Sequence, residues 1–180
     1  ALDQKKALNK ANIVIIAESF STPLALKLAD RFPQQVKAVI IGGGFCASPT
    51  NPGFALLPLR PLFMIAPPRS AVRHFLTGNE SPPELVAKVH SAVKKVSSRV
   101  LTQRIRSILT LEEQQTPTIP KTPILLLQAE HDAVIPWEIQ NQLEQHLPHA
   151  KCHWIESPHL IFQAQPQTCA SRIVAFLSEI

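Results

Sequence analysis

The chain has 180 residues, 45% of them hydrophobic and 17% charged, which is one domain's length with enough apolar material for a packed core and excludes a disordered chain. The formal net charge is +5, but aromatic residues make up only 6%, tyrosine is absent and no nucleic-acid-binding motif is found, so a nucleic-acid partner is not expected. No apolar run is long enough to span a bilayer, and Asp3, Lys5, Lys6 and Lys10 interrupt the first segment where a signal peptide would be apolar.

The three cysteines, Cys46, Cys152 and Cys169, cannot all pair within one chain, and their spacing fits no disulfide or zinc framework. Free thiols in the cytoplasm, without membrane contact, are the expectation.

In chain order, Asn12 to Ala17 is a short apolar run that predicts a buried parallel strand. Thr22 to Phe32 has helical spacing, with Leu24, Ala25, Leu28, Ala29 and Phe32 as its expected apolar face and Pro23 suited to the first turn. Val36 to Ile41 predicts a second buried strand, closing a βαβ unit with right-handed crossover. Gly42-Gly43-Gly44 after it lacks the lysine and hydroxyl residue of a phosphate loop and reads as a flexible strand exit.

From Phe45 to about Pro120 there is no strand signal, and Pro82-Pro83-Glu84 predicts a helix start, with two or three helices before Pro117. Ile124 to Gln128 and Lys151 to Ile155 predict a third and a fourth strand, with a helix over Ile139 to Leu147 between them. A final amphipathic helix over Gln167 to Ile180 carries the stripe Cys169, Ile173, Phe176, Leu177 and Ile180.

Between the first strand and its helix lies Ala17-Glu18-Ser19-Phe20-Ser21, where a nucleophile elbow belongs. So sharp a turn needs small neighbours two residues either side of the serine, and Ala17 and Ser21 meet that need where glycine is commoner. Small-x-Ser-x-small is frequent by chance, and a serine before a helix is often only a cap. The order along the chain adds weight. Asp132 follows the third strand and His159 follows the fourth, which is the α/β-hydrolase order of Ser, Asp and His rather than either protease order.

On the stretches AESFSTPLALKLADRFPQQVKAVIIGG, TPILLLQAEHDAVIP and SPHLIFQAQP, the chain resembles the α/β-hydrolase superfamily, and within it small esterases of the pimeloyl-carrier-protein methyl ester type. The resemblance implies an α/β fold: the C-terminal part of an α/β-hydrolase, with a parallel sheet, flanking helices and a helical cap insertion. It implies a core over residues 1–44 and 119–180, and the cap over 45–118. It implies Ser19 as nucleophile, His159 as base, Asp132 as the group that orients it, and the Phe20 backbone N–H as an oxyanion donor. The chemistry implied is hydrolysis of a carboxylic ester or thioester, without metal or cofactor; the substrate-binding residues stay unassigned.

Only eleven residues precede Asn12, so the resemblance also implies that the strands before the elbow strand, and the loop with the second oxyanion donor, are missing. The first strand would then be an apolar edge. Two rivals follow: a catalytically weak or inactive fragment, and a binding module whose basic insert engages an acidic protein.

Phe45 to Thr118 holds nine Lys/Arg and four Glu, and the remainder balances at nine of each sign, so the whole +5 sits in the insert. The sharper reading is a surface for an acidic acyl carrier protein or a coenzyme A thioester; a solvated helix face is the plainer and preferred one. Glu18 reads as a rim carboxylate and His131 as a loop residue. His146, His149, Cys152 and His153 cluster in sequence but match no zinc spacing, so no metal is expected. Phe45, Phe54, Phe63, Phe75 and Trp137 either line an acyl pocket or pack the insert on the core.

Overall fold

The computed structural model of the protein describes residues 12–180; the charges at Asp3, Lys5, Lys6 and Lys10 lie outside that range. Four strands, β1 (Ile13–Glu18), β2 (Val36–Gly42), β3 (Ile124–Ala129) and β4 (Lys151–Ile155), pair in parallel in the order β1-β2-β3-β4. The helices of three turns or so are α1 (Thr22–Arg31), α2 (Pro83–Lys94), α3 (Ser98–Leu109), α4 (Trp137–His146) and α5 (Pro166–Leu177).

β2 and β3 are covered on both faces, as their continuous apolar runs require. Alternate side chains of the inner strands point to opposite sides. Val39 and Ile41 of β2 with Ile124 and Leu126 of β3 pack against Ala25, Leu26 and Ala29 of α1 and Leu143 of α4. Ala38, Ile40, Leu125, Leu127 and Ala129 face the other way, onto Cys169 and Phe176 of α5. All six residues of β3 are buried, so Leu126→Ala removes methylenes from the middle of the core at a cost of about 2–5 kcal/mol.

Some sequence expectations need correction. The buried face of α1 is Thr22, Ala25, Leu26 and Ala29, whereas Leu24, Leu28 and Phe32 are exposed. Small side chains let the helix lie close on the sheet, and the larger ones turn outward. β1 is at the sheet's edge among the described residues, and its Val14 and Ile16 are exposed rather than buried. Ile180 lies beyond the end of α5 and is also exposed.

Between β2 and β3 the described chain is helical: one-turn helices at Leu59–Leu62 and Arg69–Val72, then α2 and α3. Among the described residues no helix is long and apolar enough to cross a membrane.

Candidate active site

Every strand of a parallel sheet delivers the following loop to the same edge, and ligands collect there. Ser19 follows β1, Gly43 follows β2, Asp132 follows β3 and His159 follows β4. The sheet therefore brings together residues up to 140 positions apart.

Ser19 sits at φ +51°, in the left-handed region, one of two non-glycine residues there among those described. A serine adopts it at a cost of about 1–3 kcal/mol, and surrounding contacts must hold it. Ser21 supplies two of them: its Oγ donates to the Glu18 carbonyl at 2.7 Å and accepts from the Glu18 N–H at 2.8 Å. So Ser21 is more than a small neighbour; it ties the two ends of the elbow together. Phe20 follows in the same helical turn, Ser19–Ser21, where the first N–H groups have no intrahelical acceptor.

His159 Nδ1 lies 2.7 Å from Asp132 Oδ2, and His159 Nε2 lies 2.8 Å from Ser19 Oγ. A carboxylate only accepts, so Nδ1 carries the hydrogen, and the Ser19 hydroxyl donates to the free Nε2 lone pair. The His159 and Asp132 side chains are 4% and 0% exposed, so little water competes for these bonds. The other Asp132 oxygen, Oδ1, accepts from the backbone N–H groups of Val134 at 2.7 Å and Ile135 at 2.8 Å. The carboxylate is thereby fixed in rotation and fully partnered.

The two loops are fastened to each other. Glu130 N–H donates to the Ile155 carbonyl and His131 N–H to the Ser157 carbonyl, each at 3.0 Å, continuing the β3–β4 ladder outward toward Asp132 and His159. Leu160 N–H donates to the Leu76 carbonyl at 2.9 Å, which ties the residue after His159 to the segment between β2 and β3.

Gly42, Gly43 and Gly44 are not a flexible exit; all three are buried. Gly43 holds φ +52°, and a methyl on it would come within 3.0 Å of the His159 carbonyl oxygen and 3.7 Å of Asp132 Oδ2. Here the chain must turn left-handed directly against the Asp–His pair, and only glycine does both without strain.

Glu18 is half-buried, not a free rim carboxylate. It accepts from Phe162 N–H at 3.2 Å and from Gln163 Nε2 at 3.0 Å, linking the elbow to the helical turn Ile161–Ala164 after His159. Burial raises its pKa, against the opposing pull of Gln163, Phe162 and His159. His131 stands in an exposed loop 3.9 Å from Glu156.

Sequence reading missed a buried amide network. Gln140 Oε1 accepts from Ala129 N–H, its Nε2 donates to the carbonyls of Ala129 and Ile135, and Gln128 bridges Gly44 N–H to the Gln140 carbonyl. The signal was a glutamine inside the run Ile124-Leu-Leu-Leu-Gln-Ala129: a polar group buried on both sides needs partners. The network aligns β2's exit, β3's end and α4, all beside the Asp132 loop.

The five aromatic candidates do not form one pocket. Phe45 is fully buried and, with Phe20, Leu24, Ile108 and Leu111, lines a cavity of about 350 Å³ under α3. Neither Ser19 nor His159 lines it. Phe54, Phe75 and Trp137 are exposed, with Trp137 stacked on Trp154 at 6.4 Å.

The same arrangement of strands and loops recurs in known structures. The chain superposes on an esterase from Exiguobacterium antarcticum with a TM-score of 0.80 at 16% identity, covering 98% of this chain and 70% of the other. On a hydrolase from Oleispira antarctica the TM-score is 0.75 at 13% identity, covering 94% of this chain and 66% of the other. The chain is an α/β-hydrolase by fold. A thermophilic esterase from Thermogutta terrifontis gives a TM-score of 0.73 at 16% identity over 99% of this chain and 68% of its own. The chain thus spans about two thirds of the length of the structures it matches.

The family described as TAP-like protein, of the α/β-hydrolase group, matches residues 106–179, which include Asp132 and His159. No curated protein sequence matches.

Proposed function

We propose that this α/β-hydrolase chain carries the nucleophilic machinery of a serine hydrolase that cleaves carboxylic esters or thioesters through an acyl-enzyme. One observation carries the reading: the Ser19 Oγ is 2.8 Å from His159 Nε2, while His159 Nδ1 is 2.7 Å from a buried Asp132. That the similar structures are described as hydrolases and esterases supports it.

In this reading Ser19 Oγ attacks the substrate carbonyl carbon as its proton passes to His159 Nε2. Asp132 holds the imidazole orientation and stabilises the imidazolium, and the Phe20 N–H faces the developing oxyanion. The tetrahedral adduct collapses; the carbonyl–leaving-group bond breaks, and the alcohol or thiol departs with the proton from Nε2. Water, deprotonated by the same nitrogen, then releases the carboxylic acid and restores Ser19. No step needs a metal or cofactor. The three free thiols suit a reducing compartment, the cytoplasm.

The test is turnover of short p-nitrophenyl esters and acyl thioesters, followed by intact mass. A burst of product and an acyl adduct on Ser19, both abolished by Ser19→Ala, are expected. Turnover that persists in Ser19→Ala excludes the reading.

A second reading is favoured by Arg60, Arg99 and Arg106, which line a cavity of about 340 Å³ between Leu59–Leu62 and α3. Here the insert binds an acidic carrier protein. Binding that weakens as salt rises, with no turnover, would favour it.

A further inference from the structure

Away from Ser19, three residues far apart in sequence meet. Among the described residues, Cys46, Glu113 and His146 place a sulfur, a carboxylate oxygen and an imidazole nitrogen all within 4.8 Å of one another. Cys46 lies just after β2's exit, Glu113 in the short helix Glu113–Gln115 that leads toward β3, and His146 closes α4. We infer that Cys46 Sγ, Glu113 and His146 Nδ1 form a zinc site that clips the segment entering β3 to α4 and to the exit of β2.

The donor set is right for zinc: one thiolate, one imidazole and one carboxylate suit a borderline-soft dication, with water in the fourth tetrahedral position. The spacing is close to right. Ligand atoms around a tetrahedral zinc lie roughly 3–4 Å apart, and His146 Nδ1 and Glu113 Oε1 are already 3.0 Å apart.

The surroundings orient the donors. His146 Nε2 lies 2.7 Å from the Thr116 carbonyl, which can only accept, so Nε2 carries a hydrogen, and Nδ1 is the nitrogen turned to Glu113, donating to its Oε1 at 3.0 Å in the metal-free chain. A metal-bound histidine is ordinarily held in this way, by a carbonyl or carboxylate on its other ring nitrogen. Thr116 also fixes the cysteine's backbone, its Oγ1 donating to the Cys46 carbonyl at 3.2 Å. Gln142 Nε2 donates to Glu113 Oε2 at 2.6 Å, leaving Oε1 as the inward oxygen.

Cys46 is fully buried, and the His146 side chain is 11% exposed against 36% for Glu113. The glutamate therefore marks the entry path. On binding, the Sγ–Zn bond forms as the S–H bond breaks and the Nδ1–Zn bond forms as the Nδ1–H donated to Glu113 breaks, and both protons leave to solvent. Sequence spacing could not show this site, because its ligands are 67 and 33 residues apart and come from three different elements.

The experiment is titration of the metal-free full chain with cobalt(II) and with zinc(II), reading the thiolate-to-cobalt charge-transfer band and the melting temperature. One equivalent per chain, a band that Cys46→Ser abolishes, and a zinc-dependent rise in melting temperature absent from that variant are expected. Because Cys46 is in the core and its variant can misfold, Glu113→Gln is run beside it. Its residue is partly exposed, and zinc affinity should fall by more than the roughly 10–100-fold that loss of an outer-shell partner costs. A folded chain that binds no zinc, or one whose band and melting shift survive in Cys46→Ser or whose affinity survives in Glu113→Gln, overturns the inference.

Discussion

His159 stands between Asp132 and Ser19, 2.7 Å from the one and 2.8 Å from the other. Their hydrogen-bonded chain also needs residues whose importance is not local. Gly43 is one: its left-handed turn lies against the His159 carbonyl. Gly43→Ala should cost about 1–3 kcal/mol in denaturant unfolding, and the displaced His159 should slow ester turnover. Asp132→Asn keeps an acceptor for the Val134 and Ile135 N–H groups but favours the wrong imidazole tautomer. It should leave melting nearly unchanged while turnover drops by about 10⁴; equal loss of stability and turnover would mean that Asp132 is only a structural anchor.

At the scale of elements, β2 and β3 were legible because both-face burial writes continuous apolar runs, and β4, with only Ile155 buried, still has the expected bounds. The faces of helices were less so. In α1, two overlapping stripes share Ala25 and Ala29, and only close packing on the sheet decides between Leu26 and Leu24. The Gln128–Gln140 network joins β3 to α4 with a full set of partners. Gln140→Ala strands the buried Ala129 N–H and should cost about 1–3 kcal/mol by chemical denaturation. On β4, burial and the neighbouring Glu144 push the Cys152 thiol up to about 12. A raised folded-state pKa contributes stability that is complete below the ordinary thiol value and lost as pH rises through the folded one. Stability should therefore fall between roughly pH 9 and pH 12, and less steeply in Cys152→Val; identical slopes would remove Cys152 as the cause.

For the whole molecule, β1 is the outermost of the described strands, and its Ile16 is 59% exposed. Such an edge invites strand pairing between copies. Ile16→Lys should keep the chain monodisperse to higher concentration in light scattering, and unchanged association would place the contact elsewhere. The helical character of the described segment between β2 and β3 was legible from its lack of strand signals, whereas its contact with the histidine loop, through Leu76 and Leu160, was not, because it rests on backbone atoms. The central claim is that Ser19, His159 and Asp132 act together as a nucleophilic unit. Its most direct test is labelling with a fluorophosphonate probe, with the modified residue located by mass spectrometry in the wild-type chain, Ser19→Ala and His159→Ala. Labelling confined to Ser19 and lost in both variants is the predicted result; a folded chain that remains unlabelled, or one labelled equally in His159→Ala, would contradict it.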